Sequence, residues 1–382
     1  MRSWLVMLLA LTGPLAGVVS AAHAFETAAK AAIIIDHRTG VVLLEKNADQ
    51  RIPPASMSKL MTAYLIFDQL RADKLKLDDQ ILVSEKAWKM GGSQMFLEVG
   101  ERVRVEELIR GIIVQSGNDA CVALAEAIAG SEDEFARQMT ERGRELGLTA
   151  STFRNATGLD APEHLMTVRD LAVLARRIIA DFPEYFKYYS EREFEYAGIK
   201  QPNRNPLLQA GVPGVDGMKT GYTDASGYGL VTTAQRDDRR VIVVVAGLQS
   251  AAQRRAEGER LLEYAFREFQ EYRLFAPDDQ VPVAEADVWL GAAPKVPLVA
   301  RETAAVTLSR EARKELVVKL AYTSPVPAPV TAGQELGRIE ITAPGIEPLS
   351  VPLVATADVP RAGVLGRATG ALGYLVWGGA AS

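Results

Sequence analysis

Strand-like sequence stands near both ends of the first 270 residues, and between the two lies a long stretch patterned for helix. Residues 31–35 and 41–45 are apolar, β-prone runs around Asp36-His37-Arg38-Thr39-Gly40, which reads as a hairpin. Strand signals return at 215–220 and in the pair 229–234 and 241–246, joined across 235–240. In between, from Ser56 on, Leu60, Met61, Tyr64, Leu65 and Phe67 recur at helical spacing, and 105–114, 120–129, 132–146 and 168–179 also read as helices. An amphipathic helix over 254–269 closes the region. One sheet built from both ends, with helices inserted in the middle, predicts an α+β domain around a single core.

After Phe275 the helical periodicity stops. Short Val-rich segments at 281–283, 296–298, 317–322 and 350–354, punctuated by Pro and Gly, predict a small all-β domain. Beyond Pro360, Leu365, Ala368, Leu372 and Leu375 fall on one helical face, flanked by Arg361 and Arg367, with Tyr374 and Trp377 near the end. That segment is too short and glycine-rich for a good membrane span and fits a helix lying in the interface. At the other terminus, Arg2 precedes an apolar run from Trp4 to Val19 that ends at Ala22-His23-Ala24, the layout of a secretory signal cut after Ala24. The expected organisation is thus a signal peptide at 1–24, a large α+β domain at 25–275, a β-rich domain at 276–357 and an amphipathic membrane-anchor helix at 358–382.

Composition excludes some classes. A net charge of −5 gives no basic surface for nucleic acid. Cys121 is the only cysteine, so no intramolecular disulfide forms even in an oxidising compartment. It sits in an Ala-rich helical run and reads as a small buried hydrophobe. His37 and His164, the histidines left after cleavage, have no clustered ligand spacing, so no metal site or cofactor is expected.

Three short motifs carry the chemistry. Ser56-Met57-Ser58-Lys59 opens a helix, Ser116-Gly117-Asn118 lies in a loop between helices, and Lys219-Thr220-Gly221 lies on a strand. Positions three apart share a helix face, so Lys59 can reach Ser56. A serine hydroxyl needs a base to become a nucleophile, and Lys59 serves if it is neutral; burial and a second cation, Lys219, both push its pKa down. Ser56 at a helix N-terminus adds free backbone N–H groups that favour an oxyanion. Ser116 and Asn118, two apart in an extended loop, can face one cleft, Ser116 relaying a proton and Asn118 bonding a substrate amide. Lys219 and Thr220 offer a charge and a hydroxyl to a carboxylate. Gly221 lets a substrate backbone run beside the strand.

Together these residues resemble the low-molecular-mass penicillin-binding proteins, serine D-alanyl-D-alanine carboxypeptidases of the type-5 group. The likeness runs through Pro54 to Thr62, Gly92 to Leu97, Ser116 to Ala120, Asn155 to Leu159 with His164 and Thr167, and Asp216 to Thr223. It implies a β-lactamase/DD-peptidase-like fold, an antiparallel sheet flanked by helices, followed by the β-rich module and terminal helix. It implies removal of the terminal D-alanine from peptidoglycan pentapeptide stems through an acyl-enzyme on Ser56, and acylation by β-lactams. It also implies a place on the periplasmic face of the cytoplasmic membrane, held through the terminal helix. By the same likeness Lys59 is the base, Ser116 and Asn118 are proton relay and amide contact, and Lys219 and Thr220 are carboxylate contacts. The oxyanion hole uses the N–H groups of Ser56 and Tyr222, and Arg204 matches an arginine near the substrate carboxylate. Relatives often carry histidine where this chain has Tyr222, which touches substrate preference more than activity.

Other functions remain to be weighed. A class A β-lactamase needs a glutamate some thirty residues after the S-x-N, and residues 150–155 hold none. An endopeptidase on peptide crosslinks would share every motif and differ in cleft shape. A non-catalytic cell-wall scaffold would be expected to have lost the serine or the lysine, and both are present.

Overall fold

The computed structural model describes residues 25–277, 279 and 282–364. The expected signal peptide and the apolar stripe from Leu365 to Trp377 lie outside the described residues. Strands β1 (Ala31–Asp36), β2 (Val42–Lys46), β3 (Val215–Thr223), β4 (Gly227–Arg236) and β5 (Arg239–Leu248) form one antiparallel sheet in the order β2-β1-β5-β4-β3. The two ends of the region therefore meet, with Ile33 opposite Val244. The uninterrupted apolar run of β5 suits a strand covered on both faces. Ile242, Val244 and Ala246 pack into the core with the helices, while Val241, Val243 and Val245 pack toward the other side.

The helical side is built from α1 (Lys59–Arg71), α2 (Asn118–Ala129), α3 (Glu132–Glu145) and α4 (Val168–Asp181). From Lys59 to Phe67 every residue of α1 is buried, as befits a helix apolar around most of its circumference. α3 and α4 start cleanly because Ser131 and Thr167 accept the N–H groups of Glu134 and Asp170. The opposite face of the sheet is covered by α5 (Ala251–Glu268) through Leu261, Leu262 and Ala265. The helical stretch also contains two small two-stranded antiparallel sheets that periodicity did not reveal, pairing Gln80–Leu82 with Arg102–Arg104 and Glu193–Tyr196 with Ile199–Pro202.

β6 (Phe269–Phe275) follows α5 directly and leads into the β-rich part: β7 (Ala284–Trp289), β8 (Lys295–Ala300), β9 (Ala304–Ser309), β10 (Val317–Tyr322), β11 (Val326–Pro327), β12 (Glu335–Thr342) and β13 (Leu349–Ala355). Six of these make a sheet in the order β10-β12-β13-β8-β7-β11, and β6 pairs with β9. Val296, Leu298, Val306, Leu308, Ile339, Ile341, Val351 and Leu353 fill the core between them. Val359, past the last strand, is buried in that core and pairs with Val330. The β1–β2 turn joins the two parts: Arg38 pairs with Glu271 at 3.2 Å and Thr39 shares a 3.0 Å hydrogen bond with Thr307.

Candidate active site

Ser56 sits in a single 3-10 turn, Ala55–Ser58, that runs into α1. The sequence suggested that Ser56 heads the α-helix, whereas Lys59 is its first residue. The Met57 N–H bonds to the Pro54 carbonyl at 3.2 Å, a three-residue closure tighter than an α turn. In such a turn residues three apart eclipse, and the Lys59 Nζ donates to Ser56 Oγ at 2.9 Å. The same ammonium donates to Asn118 Oδ1 at 2.7 Å and to the Thr157 carbonyl. Thr157 is held by the Asn155 side chain, whose Oδ1 accepts from the N–H groups of Thr157 and Gly158. Gly158 is obligatory here. Its φ is +80°, and a Cβ would stand 2.1 Å from the Ala55 carbonyl oxygen and 2.6 Å from Ser58 Oγ.

The second motif differs in form from the extended loop expected. The helix beginning at Val105 ends in a π turn over Gly111–Gln115, Ser116 takes a left-handed φ of 64°, and Asn118 opens α2. The reversal at Ser116 separates the two side chains between two amines. Ser116 Oγ accepts from Lys219 Nζ at 2.9 Å, while Asn118 serves Lys59 and donates its Nδ2 to the Gly91 carbonyl at 2.7 Å.

The third motif lies on β3, the edge of the sheet, so one side of its backbone is free of strand partners. Gly221 passes close to the nucleophile turn: a Cβ there would lie 2.9 Å from the Pro54 carbonyl oxygen. Thr220 is buried and its carbonyl accepts from Lys219 Nζ at 3.2 Å. Tyr222 stacks at 4.3 Å on Tyr228, directly opposite it on β4, and its hydroxyl donates to Asp224. Arg204 lies at the surface, one nitrogen donating to Gln201 at 3.2 Å.

Lys59 and Lys219 are 1 % and 3 % exposed and neither has a carboxylate partner among the described residues. Burial lowers the pKa of Lys59 from the usual lysine value. Lys219 is pushed well below it, by burial first and then by the positive charge of Lys59, with Arg204 and Arg254 adding to the effect. Cys121 is buried behind the site, and burial pushes its thiol up to about 12.

Arg254, on the first turn of α5, is a residue that the sequence reading missed. Its Nε is buried without a partner, its guanidinium lies 5.5 Å over the Tyr228 ring, and its charge reaches Lys219. By cross-strand register Thr220, Tyr222 and Tyr228 share the face of the sheet that α5 covers. The only sequence signal was an arginine opening an amphipathic helix, which is ordinary. Among the described residues no group of three or more His, Cys, Asp or Glu side chains could hold a metal ion.

Comparison with known proteins places the chain in one family by sequence and by fold. The model of the family described as D-alanyl-D-alanine carboxypeptidase matches residues 18–250, and that of the penicillin-binding protein 5 C-terminal domain matches 269–361. D-alanyl-D-alanine carboxypeptidase DacC of Escherichia coli (strain K12) is 41% identical over 346 residues, 89% of this chain and 86% of the relative. Among solved structures, penicillin-binding protein 5 from Haemophilus influenzae aligns with a TM-score of 0.79 at 33% identity, over 92% of this chain and all of that one. Penicillin-binding protein D2 from Listeria monocytogenes, in its ampicillin-bound form, aligns with a TM-score of 0.58 at 31% identity, over 63% of this chain and 98% of that one.

Proposed function

The chain belongs to the D-alanyl-D-alanine carboxypeptidase family, and on that premise we propose how its cleft removes the terminal D-alanine from a peptidoglycan pentapeptide stem. Lys59, whose pKa burial lowers, takes in its neutral form the proton of Ser56 Oγ as that oxygen attacks the carbonyl of the penultimate D-alanine. The N–H groups of Ser56 and Tyr222 receive the oxyanion. Ser116, oriented by the Lys219 hydrogen bond, relays that proton from Lys59 to the departing amine, which returns Lys59 to its neutral form. The carboxylate of the leaving D-alanine is held by Lys219 and Thr220, with Arg204 and Arg254 beside them, and Asn118 bonds the acyl-side amide. Water then hydrolyses the ester with Lys59 again as base. A β-lactam enters by the same acylation and leaves slowly.

The observation that carries this reading is the pair of chains Lys59–Ser56 and Lys219–Ser116, two nearly dehydrated amines each bonded to a serine hydroxyl. Residues 25–275 perform the chemistry, the β-rich part, which extends past the expected boundary at 357 because Val359 is buried in its core, spaces the cleft from the surface, and the segment beyond Val364 binds the membrane face after export and removal of 1–24. Among the described residues no helix is long and apolar enough to cross a membrane. The test is release of D-alanine from a soluble pentapeptide ending in D-Ala-D-Ala. Release by the parent and none by Ser56→Ala supports the reading. Cleavage of crosslinked dimers alone would point to an endopeptidase.

A further inference from the structure

Phe96 is one of the described non-glycine residues with a left-handed backbone, at φ 67°. An aromatic side chain disfavours that region, and a residue held there needs surroundings that enforce it. The enforcing group is the buried carboxylate of Asp119, the residue after Asn118. It accepts the N–H of Met95 at 3.0 Å and that of Leu97 at 3.2 Å, the amides on either side of Phe96. Met95 and Leu97 turn inward and are buried, whereas Phe96 is turned out and remains 47% exposed.

The rest of the segment is fastened to the site. Gly91 O accepts from Asn118 Nδ2, Ser93 O accepts from the Asn118 N–H at 2.7 Å, and Gln94 O accepts from Gln201 at 3.0 Å. Gly92 lies so close that a Cβ would come within 2.9 Å of Asn118 Nδ2. A rim tied at every neighbouring residue therefore presents a single free aromatic ring, at a cost in both backbone conformation and exposed apolar surface. Burial of Met95 and Leu97 in the core accounts for the fastening of the segment, but not for an exposed aromatic ring at the strained position between them, and the geometry is set by the two residues, Asn118 and Asp119, that open α2 beside Lys59.

We propose that Phe96 is a substrate-contacting residue, an aromatic platform on which the apolar flank of the bound peptide or β-lactam rests. The inference builds on the carboxypeptidase reading and adds the contact that holds substrate beside Asn118. Burying a ring face against substrate contributes to binding rather than to bond making, so its loss falls on KM and on the second-order rate of acylation.

The experiment compares the parent with Phe96→Gly, Phe96→Ala and Phe96→Tyr in the full mature chain. Assays are D-alanine release from a soluble pentapeptide and acylation by a fluorescent penicillin. Phe96→Gly and Phe96→Ala should lower kcat/KM and the acylation rate by roughly 5- to 50-fold, mostly through KM, while Phe96→Tyr stays near the parent. Phe96→Gly, whose backbone accepts this φ freely, should unfold at a temperature no lower than the parent. Unchanged kcat/KM and acylation in Phe96→Gly would overturn the proposal, as would a loss of activity matched by a marked fall in unfolding temperature. A parent that releases no D-alanine yet is acylated with the expected Phe96 dependence would instead reject the carboxypeptidase reading and leave the platform standing.

Discussion

At the scale of single residues, the proposed acylation depends on a lysine that can be neutral. Lys59→Arg retains the charge, but a guanidinium stays protonated at any ordinary pH and cannot accept the Ser56 proton. Acylation by a fluorescent penicillin should fall by at least about 100-fold, the lower end of the range for a general base, with circular dichroism unchanged; near-normal acylation would remove Lys59 from that role. A second titrating group lies near Lys59. His164 is buried, accepts the Arg154 N–H through Nδ1, and has its pKa lowered to about 4, by burial first and then by Arg154 and Lys59. The unfolded chain takes up its proton near pH 6.5 and the folded chain only near 4. Its contribution is therefore complete above pH 6.5 and is lost as the pH falls toward 4. His37 is lowered to about 4 as well and acts with the same sign. His164→Gln can still accept from Arg154 but does not titrate, so the stability difference between pH 7 and pH 4.5, read by urea unfolding, should shrink by roughly 2–3 kcal/mol.

At the scale of elements, the motif residues that meet in the candidate site were legible because each motif has its own local spacing, while their partners were not. The three-residue step from Ser56 to Lys59 survives whether the turn is α or 3-10, so the wrong helix type still gave the right neighbours. The left-handed turn at Ser116 has no sequence signature, because a serine there is as common in an ordinary loop. Arg254 comes near Lys219 only through tertiary packing, whereas the segment from Gly92 to Leu97 was marked by the family likeness and only its fastening to Asn118 and Asp119 was not legible. In the β-rich part, β12 alternates Arg338-Ile339-Glu340-Ile341 but a register shift between Glu335 and Gly337 breaks its period, and periodicity alone overlooked it. The segment Asn155–Gly158 illustrates how an element can act on chemistry without touching substrate. Gly158→Ala must push a methyl into the Ala55 carbonyl and Ser58 Oγ, displacing the nucleophile turn. Displacements near 1 Å cost about 100-fold in rate, so kcat/KM for D-alanine release should drop by that order; a variant within twofold of the parent would mean that the turn is not held by this contact.

At the scale of the whole molecule, the sheet was readable from the two distant strand clusters, since apolar strands at either end of a helical stretch have few places to go. The separate β-rich core was readable from the change of period after Phe275, though β6, contiguous with α5, was hidden by the helical pattern before it. The proposed membrane segment is tested by truncation. Because Val359 is buried and the Ala362 N–H bonds to the Leu290 carbonyl, the cut belongs after Val364 rather than inside the β-rich core. The shortened protein should keep its kcat/KM on a small soluble peptide and fail to float with anionic liposomes that carry the full mature chain; equal flotation would assign membrane binding elsewhere. The most direct test of the central claim is to expose the mature protein to penicillin, digest it and locate the covalent adduct by mass spectrometry. The account predicts one penicilloyl group on the peptide containing Ser56 and none in Ser56→Ala. An adduct on another residue, or undiminished labelling of Ser56→Ala, would contradict it.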